Sequence, residues 1–240
     1  MNIQFSEPRF TLHSAESRGV GEHGWLSARH SFSFANWYNP ERMGFGALLV
    51  INDDRIAEKY GFGLHGHDNM EIITIVTKGT LKHTDSMGTH GVLVPGDVQV
   101  MSAGSGVRHT ESNGGEGDLE LFQIWIKPDT HNVEPRYDQR RFVQKENDKT
   151  LLVSPIGNNE GLSIHQNAFI SKISLTAEHP HTYQVKQKGN GVYFFVIEGE
   201  VTIEGRALSK RDALGVENLQ EIQLVSQGAS QILAIEVPMS

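Results

Sequence analysis

GFGLHGHDNMEIITIVTKGTLKHTDSMGTHGVLVPGDVQVMSAGSGVRHTE, residues 61–111, holds five of the chain's 12 histidines. One residue separates His65 from His67, and one separates His109 from Glu111 at the far end. In an extended strand, residues i and i+2 point to one face. His65 and His67 therefore share a face, and His109 and Glu111 share another. If the two strands pack with those faces together, three imidazoles and a carboxylate converge on one point. That donor set suits a first-row transition metal. Between the two ends, 72–76, 92–94 and 98–101 read as short strands. Gly79, the turn-rich 85–91 and Pro95-Gly96-Asp97 separate them.

Outward from this stretch the pattern stays β. Residues 45–51, FGALLVI, read as a buried strand closed by a turn at Asn52-Asp53-Asp54. In HSFSFANWYNP, residues 30–40, Phe32 and Phe34 share a face as core aromatics before a turn at Asn39-Pro40. A short strand falls near 10–12. LELFQIWI, residues 119–126, reads as a mostly buried strand, and residues 40–126 show no helical period. Residues 127–150 are polar and poor in aliphatics and read as a linker over the surface, with Arg136, Arg140 and Arg141 on a solvated or ion-pairing face. Strand-like runs resume at 151–153, 169–175, 192–197, 201–203, 222–225 and 232–237. IITIVTKGT resembles VYFFVIEGE, with Gly79 matching Gly199, and LELFQIWI matches QILAIEV. Two similar units in series indicate an internal duplication and two small barrels or sandwiches.

Composition excludes several functions. The 240 residues include no cysteine, which removes disulfides, thiol catalysis and cysteine-held zinc or iron–sulfur clusters. The formal net charge of −8, with no basic run, argues against nucleic acid as a direct partner. The N-terminal residues lack a signal-peptide pattern, and no apolar run approaches the ~20 residues of a membrane span. A soluble cytoplasmic protein is expected.

Three neutral imidazoles and one Glu leave open positions on a six-coordinate ion, which favours chemistry over a closed structural site. Spacing leaves one alternative open. Glu71 has the parity of His65 and His67, so it either ligates in place of Glu111 or stands behind the ligands and orients one of them. His83 reads as a strand-end surface residue and His90 as solvated in its turn. Gly104-Ser105-Gly106 reads as a bend, since neither a following helix nor a Lys supports a phosphate loop. His179 and His181 repeat the His-x-His spacing, but no histidine follows them, and they read as surface residues flanking Pro180.

The segments GFGLHGHDNMEI, KGTLKHTDSMG, VPGD and SAGSGVRHTE resemble the pirin family of the cupin superfamily. So do HSFSFANWYNP, GFGALLVINDD and the run FQIWIKPD to PRYDQRRF. The likeness is specific over residues 20–145 and loose beyond 150. It implies an all-β bicupin, two antiparallel β-barrel (jelly-roll) domains face to face. The N-terminal one is expected at 1–135 with the metal site, a linker at 136–150, and the C-terminal one at 151–240 without a site. It further implies His65, His67, His109 and Glu111 as metal ligands, with Glu71 behind them. The expected ion is Fe(II); Zn, Ni, Co, Cu and Mn suit the same donors. Family members open the flavonol ring of quercetin with dioxygen and release carbon monoxide. A monomeric quercetin 2,3-dioxygenase-like enzyme is therefore expected, acting on a flavonol or other phenolic substrate, with Glu111 as general base. The other expectation from the family is a metal- or redox-dependent protein-interaction module without turnover.

Overall fold

In a computed structural model, the described residues, 7–177 and 179–239, form 22 β-strands and one 3-10 turn at Ala15–Ser17. Among them no helix is long and apolar enough to cross a membrane. The chain divides into two compact units. One comprises Arg18–Val143 and Pro155–Gln166. The other comprises the described residues up to Ser17, Gln144–Ser154, and the described residues from Asn167 onward.

The first unit is a sandwich of two sheets. The larger runs, in spatial order, Arg136–Arg141, Asp97–Ser102, Glu71–Lys78, Leu119–Ile126, Leu48–Ile56, Leu26–His30 and Gly19–Glu22. The smaller runs Gly61–His67, Val107–Asn113, Leu81–Asp85 and His90–Leu93. Glu71–Lys78 is central and buried along six successive residues, which is why EIITIVTK is a continuous β-branched run rather than an alternating one. Ile56, Val76, Leu81, Leu93, Leu119 and Leu121 fill the space between the sheets at one end. A second buried apolar cluster, Ile72, Met101, Ala103 and Val107, lies apart from these, with Met70 and Trp125 packed against it.

The second unit repeats this plan. Its larger sheet includes Arg9–His13, Ala213–Glu217, Asn190–Glu198, Ser230–Pro238, Phe169–Leu175 and Asp148–Pro155 in that order, and its smaller sheet His181–Gln184, Glu221–Ser226, Val201–Ile203 and Arg206–Leu208. The duplication seen in the sequence is thus a repeat of strand order in two jelly-roll sandwiches. Gly79 and Gly199 occupy the same turn of each unit with φ near +79° and +82°. A Cβ on Gly79 would lie 2.8 Å from the Asp118 backbone oxygen, so both conformation and space require glycine there.

Three elements differ from the sequence reading. Asn52-Asp53-Asp54 is no turn, because the strand runs through it as Leu48–Ile56. Arg136–Arg141 is a strand at the edge of the larger sheet, in register from Arg136 opposite Ser102 to Arg141 opposite Asp97. An edge strand is covered on fewer sides, so RYDQRR needs no apolar alternation and resembles a loop. The unit boundaries also depart from 1–135, 136–150 and 151–240. Arg9–His13 pairs along its length with Ala213–Glu217 of the second unit, while Pro155–Gln166 groups with the first.

Candidate metal centre

The two strands that carry the paired donors lie side by side in the smaller sheet rather than facing each other from opposite sheets. Val107–Asn113 pairs antiparallel with Gly61–His67, placing His109 opposite His65. A bulge follows, so that Glu111 stands opposite Phe62. On its other side Val107–Asn113 pairs with Leu81–Asp85, placing Glu111 opposite His83. One face of one sheet therefore presents all these side chains, since cross-strand partners share a face as surely as i and i+2 residues do.

The ligand atoms of His65, His67 and His109 all lie within 4.8 Å of one another, and so do those of His83, His109 and Glu111. His109 belongs to both groups. The Nε2 atoms of His67 and His109 are 3.0 Å apart. His65 donates from Nδ1 to the Gly63 carbonyl oxygen at 2.8 Å, which fixes its tautomer and leaves the Nε2 lone pair free. Burial, with repulsion between neighbouring imidazoles, pulls His67 down to about 4 and His109 to about 3. Both rings are thus neutral at pH 7, the form that ligates metal. The Nδ1 atoms of His83 and His109 are buried with no hydrogen-bond partner.

Glu111 is 1% exposed and is held from the opposite sheet. Gln99 Nε2 donates to its Oε1 at 2.7 Å, and Thr74 Oγ1 donates to the same oxygen at 3.3 Å. Gln123 Nε2 donates to Oε2 at 2.7 Å. Both amides are themselves oriented, Gln99 Oε1 by the Tyr137 hydroxyl and Gln123 Oε1 by Trp125 Nε1. These residues belong to one transverse row. His30, Asn52, Gln123, Thr74 and Gln99 are successive cross-strand partners over five strands of the larger sheet, and all are buried. Burial pushes the Glu111 carboxyl upward, opposed by His83, His65 and these hydrogen bonds.

Glu71 is outside both donor groups. Ser102 Oγ donates to its Oε2 at 2.8 Å, and burial raises it to about 7. Its parity with His67 means nothing, because a turn separates the strands Gly61–His67 and Glu71–Lys78. His83 is a correction in the other direction. It is 1% exposed, and its Nε2 lies 3.1 Å from Asp85 Oδ2. The signal was available, because Leu81, His83 and Asp85 alternate with exposed residues on one strand. His90 is exposed, as expected. In the second unit, Leu224 faces His181 across the strand pair, as His109 faces His65, and Leu224 and Ile222 are buried in the apolar core.

A cavity of about 380 Å³ opens beside the imidazoles, within the range of small-molecule sites. His65, His67 and Gln123 form part of its wall, and Trp25, Phe34, Phe62 and Trp125 make it aromatic. Phe34 meets Trp125 edge to face at 5.3 Å, and Trp25 meets Phe62 the same way at 5.4 Å. Phe32 is core, as expected, whereas Phe34 serves the cavity.

Residues 13–126 match the family described as Pirin, and residues 151–237 match the quercetinase C-terminal cupin domain. The chain is 41% identical to a quercetin 2,3-dioxygenase of Escherichia coli strain K12, over 95% of this chain and 98% of that one. It is 36% identical to a pirin-like protein of Caulobacter vibrioides, over 91% and 95%. Its fold superimposes on the crystal structure of the bacterial pirin YhhW of Escherichia coli in complex with nickel(II), with a TM-score of 0.92 and 39% identity, over 97% of this chain and 100% of that one.

Proposed function

The chain belongs to the pirin family, and from that membership we propose that it is a metal-dependent dioxygenase opening the flavonol ring of quercetin-like substrates. One observation carries the reading. The imidazoles of His65, His67 and His109 bring their ligand atoms within 4.8 Å of one another, and His65 and His67 also form part of the wall of an aromatic cavity. The relative named quercetin 2,3-dioxygenase and the nickel(II) complex of a related pirin support it.

We propose that a divalent ion is held by His65, His67 and His109 together with Glu111, whose ligand atom groups with those of His83 and His109. The close approach of the His67 and His109 Nε2 atoms and the partnerless buried Nδ1 atoms of His83 and His109 support an ion at this point. We propose Fe(II), with Ni, Zn, Co, Cu or Mn compatible with the same ligands. When bound, the ion supplies a Lewis acid that lowers the pKa of a substrate hydroxyl and a centre for dioxygen chemistry. The protein supplies the rest. Trp25, Phe34, Phe62 and Trp125 take up a flat aromatic ligand and exclude water. Glu111, behind the imidazoles, accepts the proton of the flavonol 3-hydroxyl. Gln99 and Gln123 hold both its oxygens in place. The proposal extends to a cytoplasmic monomer that contacts neither nucleic acid nor membrane; the charge of −8 supports the exclusion of nucleic acid.

The test pairs metal analysis of protein purified without added metal with oxygen uptake on quercetin. About one ion per chain and quercetin-dependent uptake, abolished by chelation and restored by Fe(II), are expected. Metal without uptake would favour the protein-interaction reading.

A further inference from the structure

The strand Leu48–Ile56 directs Leu48, Val50, Asn52, Asp54 and Ile56 inward. Asn52 belongs to the polar row and holds His30 Nδ1 at 2.8 Å. Asp54 does not. Its cross-strand partners are Ala28 and Leu121, both members of the apolar core. It is 4% exposed, and its Oδ1 is buried without a hydrogen-bond partner. The neighbouring Asp53 is engaged elsewhere, with Arg18 at 3.2 Å.

A lone carboxyl in an apolar row destabilises a fold unless something offsets it. Asp54 also lines the aromatic cavity, together with His65 and His67. One flat ligand that fills the cavity therefore touches the imidazole wall and Asp54 together. Burial, reinforced by Asp53 and Glu111, raises Asp54 to about 8. The acid is thus mostly protonated at neutral pH and matches a neutral hydroxyl rather than an ammonium group.

We infer that Asp54 is a specificity-determining residue that hydrogen-bonds a substrate hydroxyl other than the one held at the His65–His67–His109 centre. The inference rests on the proposed flavonol reading and adds to it the preference for polyhydroxylated rings. A site built to hydrogen-bond a hydroxyl discriminates strongly against analogues that lack it, because its own polar group is then left unpaired.

The experiment measures equilibrium binding to the iron-loaded protein under argon by titration calorimetry, so that no turnover is needed. The ligands are quercetin and 3-hydroxyflavone, which keeps only the hydroxyl assigned to the metal. Wild-type protein is expected to bind quercetin at least about tenfold more tightly, the worth of one net hydrogen bond. Asp54→Leu should bring the two affinities together by weakening quercetin alone. Asp54→Asn, a neutral isostere of the protonated acid, should keep the preference. Thermal melts supply the control, because Asp54→Leu removes an unpaired carboxyl and should melt no lower than wild type. A ratio unmoved by Asp54→Leu, or both ligands weakened equally with a lower melting temperature, would overturn the assignment. Failure of the flavonol reading looks different: wild-type protein then binds neither compound.

Discussion

Glu111 sits between two side-chain amides whose orientation is already decided. Trp125 Nε1 occupies the carbonyl oxygen of Gln123, and the Tyr137 hydroxyl, shared with Gln139, faces that of Gln99, so both amides present N–H to residue 111. A carboxylate satisfies both; a glutamine satisfies one and sets a donor against a donor at the other. Glu111→Gln should therefore cost about 1–3 kcal/mol of stability and lower quercetin-dependent oxygen uptake by about 10²–10⁴ as the base is lost, while much of the metal stays bound. Wild-type uptake in this variant would rule Glu111 out as the base. Asp54 makes a separate prediction in metal-free protein. Its folded-state pKa, about 8, lies above the ordinary carboxylate value. Between pH ~4 and ~8 the folded chain keeps a proton that the unfolded chain releases, so stability falls as pH rises, by up to about 1.4 kcal/mol per unit. Asn at this position has no such loss. His67 and His109 act in the opposite sense, being held low, but are common to both proteins. The melting-temperature advantage of Asp54→Asn should thus grow from pH 5 to pH 8. An advantage of the same size at both values would mean Asp54 is ionised throughout. At this scale the spacing of two pointed to His65, His67, His109 and Glu111, and the structure gathers the first three in one donor group and Glu111 with His83 and His109 in another. The sequence did not show their support, because Gln99, Thr74 and Gln123 converge only through sheet register.

Elements were legible where their burial was one-sided or complete, and obscure where a strand carried a site or formed an edge. VINDDR has the composition of a turn because cavity residues interrupt an apolar strand, and propensity cannot tell that from a loop. RYDQRR has the composition of a linker because it is an edge. The turn at Pro95-Gly96-Asp97 was legible, but its partner was not. Asp97 Oδ2 accepts from the Val94 backbone N–H at 2.9 Å, and Arg141 closes on both carboxylate oxygens at 2.7 and 2.9 Å. This joins the turn to the edge strand. Asp97 is 6% exposed, whereas the Arg141 side chain is 60% exposed. Asp97→Ala strips the turn and leaves its N–H unpaired, and should cost about 1–3 kcal/mol. Arg141→Ala removes a solvent-screened ion pair and should cost under about 1 kcal/mol. Denaturant unfolding separates the two; equal costs would mean that the ion pair, rather than the turn, is what Asp97 maintains.

The whole molecule is one plan used twice and furnished differently. The repeat was legible because Gly79 and Gly199 must each take a left-handed turn, and sterics preserve that signature through divergence. The different furnishing follows from the second unit's interior, where Tyr183, Ile222 and Leu224 make an apolar core in place of donors. Which segment closes each larger sheet was not legible, since a five-residue strand pairing across the length of the chain leaves no local pattern. In the first unit the closing strand is Arg136–Arg141; in the second it is Arg9–His13, fixed also by His13 Nδ1 to the Tyr193 hydroxyl at 2.8 Å and by the Ala15 N–H to Asp212 Oδ1 at 2.7 Å. A chain beginning at Arg18 would leave Ala213–Glu217 as an unpaired edge bearing buried Leu214 and Val216, which favours aggregation. It should melt several degrees lower, at about 2–4 °C per kcal/mol lost in a chain of this size, and aggregate at concentrations the full chain tolerates. Its metal content should be unchanged, because every proposed ligand lies within residues 61–111. Unaltered melting and solubility would show that the strand is dispensable to the second unit. Loss of metal from a chain that still melts cooperatively would show that the centre depends on more than the unit that carries its ligands.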